Sequence, residues 1–188
     1  MNVYDFDDTI YDGESSFDFF LDYIKVNPSL VKLLPKAINT IIDYKAGKIS
    51  NEQFLKDYSP LVKKYYCEYD KWDEFTVKFW NEHMRKIKSF YFRTRRPDDC
   101  IVTASPELTV REIAKRLGVQ NYVCSTVSED GEITRLCMRE NKEDYFRETF
   151  PDEEIEEFYT DSIANDGFFA KSAKRVFLVE GERVTQLR

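Results

Sequence analysis

The sequence predicts an α/β fold in which a core built on a parallel sheet is interrupted by a helical insertion. Residues 2–6 predict a short strand, and apolar side chains recur at helical spacing through most of residues 15–92. From residue 100 onward, short apolar runs alternate with helical segments, as in parallel sheets covered by helices. A chain of 188 residues suits one core with a modest insertion.

Local signals predict where the inserted helices begin and end. Gly47 indicates the end of one helix, and Ser50 with Gln53 resembles a capping box that opens the next. Pro60 is expected to bend or interrupt that next helix. A further helix is predicted from about residue 72 to residue 92, where aromatic residues repeat along one side.

The second half begins with a predicted strand at residues 100–103. Ser105 is expected to cap a helix that starts at Pro106 and stops before Gly118. Further elements follow in order: strands at 122–127 and 133–138, a helix near 141–150, a strand near 156–160, a helix near 166–174, and strands at 175–179 and 183–187.

Composition narrows the classes of partner. The net charge of −7 argues against nucleic acid and anionic membranes as broad surface partners. No apolar run reaches the roughly 20 residues that membrane insertion needs, and no signal peptide is visible. The four cysteines lack metal-like spacing, which favours reduced core thiols in a cytoplasmic protein.

Acidic residues follow two predicted strands. Asp5 and Asp7 are two positions apart, so on an extended segment their carboxylates point the same way. Such a pair can share a divalent cation, or act as nucleophile and acid/base. Asp161 and Asp166 form a second group, and oxygen ligands from two chain segments suit Mg²⁺. Both groups could instead be ordinary acidic turns or helix caps.

Two more polar residues occupy corresponding places. Thr103 ends an apolar strand directly before a helix, where a hydroxyl and helix amides can bind phosphate oxygens. Lys142 opens a helix and could neutralise phosphate charge, although a lone Lys in a charged stretch is more commonly a surface residue.

Together these positions resemble the motifs of the haloacid dehalogenase superfamily, in the branch similar to phosphoserine phosphatase. The first motif matches Asp5-x-Asp7-x-Thr9, the second Thr103, the third Lys142, and the fourth Asp161 and Asp166. The resemblance implies a Rossmann-like core of residues 1–12 and 92–188, and a helical cap domain of residues 13–91. The fourth motif has one more residue between its acids than the phosphoserine enzymes have.

The resemblance also implies site roles. Asp5 is the expected nucleophile and Asp7 the acid/base, with Thr103 and Lys142 completing the catalytic set. Mg²⁺ is expected on Asp5, the Asp7 carbonyl and Asp161, with either Asn165 or Asp166 as the further fourth-motif ligand. The expected substrate contacts are made by Thr9, Glu14, Ser105 and Asn165.

These roles indicate hydrolysis of a small phosphorylated metabolite. No Arg occurs between Glu14 and Met84, so a carboxylate clamp for phosphoserine is not favoured. The many aromatic residues of the insertion predict a packed bundle, or a pocket for an apolar or ring-bearing ester. A phosphotransferase or mutase, and a non-catalytic binding module with the same fold, remain alternatives.

Overall fold

The computed structural model describes residues 1–188, apart from the side chains of residues 41 and 45. Its strands are β1 (Asn2–Tyr4), β2 (Cys100–Pro106), β3 (Asn121–Val127), β4 (Ile133–Arg135), β5 (Ile155–Thr160), β6 (Ala173–Glu180) and β7 (Arg183–Gln186). Its α-helices are α1 (Ser15–Val26), α2 (Leu34–Lys45), α3 (Asn51–Cys67), α4 (Trp72–His83), α5 (Ser89–Thr94), α6 (Glu107–Leu117), α7 (Glu140–Thr149) and α8 (Ile163–Ser172). Short 3-10 helices occupy Pro28–Leu33 and Met84–Lys86.

All seven strands form one sheet in the order β4-β3-β2-β1-β5-β6-β7. The inner strands are parallel, and Val3 of β1 pairs with Cys100 of β2 and Phe158 of β5. The edge strands β4 and β7 run antiparallel to their neighbours. The predicted α/β fold with a parallel core is therefore confirmed, and antiparallel strands at both edges complete the sheet.

Alternation along the central strand builds two apolar layers. Val3 joins a buried cluster with Phe146 of α7 and Phe169 of α8, whereas Tyr4 joins a second cluster on the opposite face. In that second cluster the ring of Tyr159 stacks between those of Tyr4 and Phe177, at centroid distances of 4.4 Å and 4.7 Å. These cross-strand stacks help to hold β1, β5 and β6 in register.

The helical insertion, α1 to α5, lies between β1 and β2, as the sequence predicts. The single helix predicted over residues 72–92 is wrong, because α4 ends at His83 and α5 begins at Ser89. Between them a short 3-10 helix at Met84–Lys86 gives way to extended backbone at Ile87 and Lys88. Lys88 N–H donates to Ile10 O and Asp12 N–H to Lys86 O, both at 2.8 Å. The segment that leaves the core before α1 thus pairs with the segment that returns to the core before α5. A continuous helix over residues 72–92 would prevent this pairing.

The predicted end of α2 at Gly47 and the predicted start of α3 at Ser50 are confirmed, but the interruption that Pro60 could cause is not found. Gly47 adopts φ +71° just beyond α2, and the Ser50 hydroxyl accepts from Gln53 N–H at 3.1 Å. Helix α3 runs through Pro60 without interruption. Pro60 is exposed, so water can satisfy the one carbonyl whose intrahelical hydrogen bond is lost.

Later boundaries differ from expectation near the site. Helix α6 begins at Glu107 after Pro106, so Ser105 is not its N-cap. Strand β4 ends at Arg135 rather than at residue 138, because the Cys137 amide donates to the Ser125 hydroxyl instead of to a strand. Gly118 ends α6 with φ +69°, as predicted.

Polar contacts connect the region of α2 and α3 with two parts of the core, the β3–β4 turn and the residue that precedes α7. The Arg139 guanidinium donates to the carbonyls of Tyr44 and Ile49, at 2.6 Å and 2.9 Å. On α3, the Lys63 ammonium lies 2.5 Å from the carboxylate of Glu132 in the β3–β4 turn. The insertion is therefore held over the carboxyl ends of the strands.

Among the described helices, none combines the length and apolar composition that a membrane crossing requires.

Candidate active site

The site lies at the carboxyl edge of the sheet, where Asp5 follows β1. The Asp5 amide donates to Tyr159 O of the neighbouring strand at 2.9 Å, which fixes the backbone next to β5. Its carboxylate Oδ1 accepts from Lys142 Nζ at 2.7 Å. Lys142 is in the first turn of α7, and both side chains are buried.

Lys142 also donates to a second carboxylate, that of Asp166. The distance from Nζ to Asp166 Oδ1 is 2.8 Å, and Asp166 Oδ2 accepts from the Thr160 hydroxyl at 2.7 Å. The backbone of Asp166 departs from helical geometry inside α8, with φ −113° and ψ 15°. Both carboxylate oxygens of Asp166 are thus engaged, and together with Asp5 they hold the ammonium in place.

Three carboxylates converge on a volume that could accommodate a cation. Oxygens of Asp5, Asp161 and Asp166 lie within 4.8 Å of one another. The Lys142 ammonium contacts two of these three acids, Asp5 and Asp166. Among the described side chains, carboxyl groups therefore outnumber the ammonium in this largely buried place. Hard carboxylate oxygens in this number fit Mg²⁺, which takes few protein ligands and retains waters.

The protonation behaviour of the cluster follows from burial and charge. Burial raises the pKa of the Asp5 carboxyl well above its usual range, and the Lys142 ammonium opposes that shift. Burial alone would lower the pKa of Lys142, but the Asp166 and Asp5 carboxylates raise it well above its ordinary value. A bound divalent cation would lower the pKa of Asp5 and so oppose the effect of burial.

Thr9 connects the two acidic loops. Its hydroxyl accepts from the Asp161 amide at 2.8 Å and lies 3.4 Å from Asp5 Oδ2. Thr9 is fully buried and does not line the cavity that Asp5 and Lys142 border. In this structure the hydroxyl fixes Asp161 relative to Asp5.

Asp7 is held by the start of the helical insertion and by the end of β2. Its Oδ1 accepts from the Ser15 amide at 2.6 Å, and its Oδ2 accepts from the Ser105 hydroxyl at 2.7 Å. Desolvation raises the pKa of the Asp7 carboxyl, while the hydrogen bonds from Ser15 and Ser105 lower it. A carboxyl with a raised pKa can carry a proton to a leaving group.

The remaining predicted residues border the same space. The Thr103 hydroxyl accepts from the Ser105 amide at 3.1 Å. Thr103, Ser105, Glu14 and Asn165 all line the cavity that contains Asp5 and Lys142. The structure therefore brings every predicted site residue except Thr9 onto one cavity wall, and places Thr9 directly behind it.

Sequence reasoning missed several supporting residues. Ser15 and Ser16 contact the Ser105 hydroxyl at 3.1 Å and 2.8 Å, and Thr160 holds Asp166. Arg111, from core helix α6, also lines the cavity. A pair of serines at a predicted helix start was the available signal for Ser15 and Ser16. The contacts of Thr160 and Arg111 depend on packing alone.

Comparison with solved structures supports the fold. A protein of unknown function from Bordetella pertussis Tohama I aligns with TM-score 0.72 and 17% identity, over 94% of this chain and 87% of that one. A phosphoserine phosphohydrolase-like protein from Francisella tularensis subsp. tularensis SCHU S4 aligns with TM-score 0.60 and 16% identity, over 94% and 86%. No curated protein matches.

The family comparison covers most of the chain. The model of the haloacid dehalogenase-like hydrolases matches residues 3–166, a span that contains the four acidic residues, Thr103 and Lys142. With that match and the geometry above, the chain belongs to the haloacid dehalogenase-like hydrolase family.

Proposed function

We propose that this chain is a Mg²⁺-dependent phosphatase that hydrolyses a small phosphorylated metabolite through an aspartyl-phosphate intermediate. The observation that carries the proposal is the buried cluster at the sheet edge. There, Asp5 Oδ1 contacts the Lys142 ammonium, and the carboxylates of Asp161 and Asp166 approach Asp5. One charged amine beside a nucleophilic carboxylate suits an anionic phosphate, and the surplus of acids suits a cation.

In the first step, a carboxylate oxygen of Asp5 attacks phosphorus and the ester P–O bond breaks. Asp7 gives its proton to the departing alkoxide, so the alcohol leaves neutral. Lys142 attracts the phosphate oxygens and is kept in place by Asp166. The Thr103 hydroxyl, which lines the same cavity, would bind a further phosphate oxygen.

In the second step, Asp7 takes a proton from water, which attacks phosphorus of the aspartyl phosphate. The bond between phosphorus and Asp5 breaks, inorganic phosphate leaves, and both carboxyl groups return to their starting states. When bound, Mg²⁺ would neutralise phosphate charge and keep Asp5 ionised. Asp5, Asp161, the Asp7 carbonyl and Asn165 or Asp166 are the residues that would hold it.

The contacts of Asp166 bear on the choice of that last ligand. Both of its oxygens already accept hydrogen bonds, from Lys142 and Thr160, and this favours a positioning role for Asp166 toward Lys142. The cellular setting that we propose is the cytoplasm, since all four cysteines are free and three are buried.

The test is hydrolysis of p-nitrophenyl phosphate with and without Mg²⁺. We expect Asp5→Asn to lose at least about a thousandfold in kcat, because the amide cannot form the acyl phosphate. The matched control is Asp12→Asn, an exposed acid from the same loop, which should retain full activity. Chelation should abolish turnover, and added Mg²⁺ should restore it.

The intermediate can be located independently of turnover. Borohydride reduces an acyl phosphate to an alcohol, so mass spectrometry of trapped wild-type enzyme should find the modification on the peptide that carries Asp5. Activity of Asp5→Asn equal to that of Asp12→Asn, or a label on another residue, would contradict the assigned nucleophile.

A further inference from the structure

The cavity over the active site is large and mostly apolar away from the reacting groups. It has a volume of about 570 Å³, within the range of small-molecule sites. Asp5 and Lys142 lie on its wall at the sheet edge, and side chains of α1, α2 and α3 form its other walls. A phosphate bound at Asp5 would therefore project its alcohol portion into the space under the helical insertion.

Helix α3 shows that this space is not closed by ordinary core packing. None of its residues, all of which the structure describes, is buried, although the helix carries Phe54, Tyr58, Leu61, Val62 and Tyr65 toward the cavity. Among the described side chains of α2, only that of Thr40 is buried. Apolar groups that face a cavity lack packing partners, and these contacts form only when an apolar group enters.

The core contributes to the same apolar wall. Val127 and Ile133 at the β3–β4 turn, and Leu136 and Met138 beyond it, also line the cavity. Aliphatic side chains of the core thus share the cavity wall with the aromatic residues of α1 and α3. The wall does not depend on the position of one helix alone.

The cations of the wall are already engaged and do not form a ready clamp for a substrate carboxylate. Among described residues, the cations that line the cavity besides Lys142 are Lys36 and Arg111. Lys36 donates to Asp57 O at 3.3 Å and lies over the Tyr58 ring, and Arg111 pairs with Asp73 at 2.8 Å. A substrate carboxylate would have to compete with these contacts.

We infer that the substrate is a phosphate monoester of an apolar alcohol, either an alkyl chain or an aromatic ring system, whose apolar part fills this cavity. The inference rests on the proposed phosphatase activity for its catalytic outcome. The selectivity arises because each methylene that leaves water for the apolar wall stabilises the bound state by a transfer free energy that short or polar esters lack.

The experiment measures kcat/KM for n-alkyl phosphates from ethyl to octyl, below their micellar concentrations, beside phenyl and naphthyl phosphate, phosphoserine and glycerol phosphate. We expect kcat/KM to rise roughly two- to fourfold per added methylene until the cavity is filled. The alkyl and aryl arms then distinguish a chain from a ring. A flat series, or preference for phosphoserine, would overturn the inference while leaving phosphatase activity intact.

Binding provides a readout that is independent of catalysis. Alkylphosphonates carry a carbon–phosphorus bond that is not an ester, so calorimetry can compare ethyl- with octylphosphonate on wild-type protein. Tighter binding of the octyl compound, with a more negative heat-capacity change, supports the apolar site even if no ester is hydrolysed. Equal binding of both compounds would refute it.

Matched variants locate the effect. Val62→Lys puts a charge on the cavity wall, whereas Val31→Lys makes the same change at an exposed position outside it. We expect Val62→Lys to lower kcat/KM for octyl phosphate at least about tenfold more than for ethyl phosphate. Val31→Lys should leave both unchanged. Equal effects of the two variants would refute the cavity assignment.

A second cavity variant keeps the proposal testable if Val62→Lys does not fold. Ala37 lines the cavity from α2, and Ala37→Phe should shorten the longest alkyl chain that still increases kcat/KM. If its chain-length profile matches that of the wild type, the alcohol portion does not occupy this space and the inference fails.

Discussion

The sheet core and helices α2 and α3 of the insertion both carry large apolar side chains, but they differ in how completely those side chains are buried. In the core, Phe146, Phe158 and Phe169 are each at most 1% exposed, and the ring of Phe169 contacts both of the others. On α3, no residue is buried, and among the described rings Phe54 stacks on that of Tyr58 in its own helix. The difference indicates that the reacting groups sit on a rigid frame, whereas the wall above them is left for a ligand to complete.

The largest expected effect is a difference in the free energy of unfolding when a Phe is replaced by Ala in each of the two regions. Phe146→Ala should lower the free energy of unfolding by about 3–5 kcal/mol, because it opens a cavity in a closed core. Phe54→Ala should lower it by about 1 kcal/mol or less, since its side chain is only partly buried. Urea denaturation of both variants measures the contrast. Equal losses would mean that α3 is part of the packed core.

An intermediate effect concerns a buried acid at the opposite end of the sheet. Burial raises the pKa of Asp99 to about 6, above the ordinary value of 3.8. The folded state therefore favours the protonated form of Asp99. The stability that this protonated group contributes is fully present below about pH 4 and is lost as the pH rises through 6. The loss should be about 3 kcal/mol. Asp99→Asn should remove this loss, because the amide does not ionise, and its side-chain oxygen can still accept from Arg96 N–H.

The measurement is the free energy of unfolding between pH 4 and pH 7 for wild type and Asp99→Asn. The control is Asp98→Asn, an exposed neighbour that should keep the wild-type pH slope. If wild type and Asp99→Asn show the same slope, the ionisation of Asp99 does not oppose folding.

The smallest expected effect tests how the insertion is tethered. Arg139 holds the carbonyls of Tyr44 and Ile49 and adopts φ +48°, a conformation that non-glycine residues rarely take. Arg139→Ala should loosen the contact by about 1 kcal/mol and raise KM a few-fold with little change in kcat. Hydrogen exchange should accelerate in α3 but not in β5. Arg93→Ala, an exposed residue elsewhere, serves as the control.

Much of the fold was predictable because its signals are local. Strand–helix alternation, Gly47, Gly118 and the Ser50 cap depend on backbone preferences within a few residues, and the structure confirms each of them. The break between α4 and α5 was not predictable, since it arises from backbone pairing with residues more than 70 positions earlier. The uninterrupted course of α3 through Pro60 likewise depends on solvent exposure, which the sequence does not reveal.

The sequence by itself determined which groups stand near the strand ends. Asp5, Asp7 and Asp161 follow strands and Lys142 lies in the first turn of a helix, whereas Thr103 lies inside β2, which continues to Pro106. Only the tertiary structure decided how they meet. It brought Lys142 into contact with both Asp5 and Asp166. It placed Asp7 where Ser15 N–H and the Ser105 hydroxyl donate to it, and it formed the apolar cavity next to these groups. Spacing along a chain specifies direction and local conformation, whereas contacts between distant segments depend on how the layers pack.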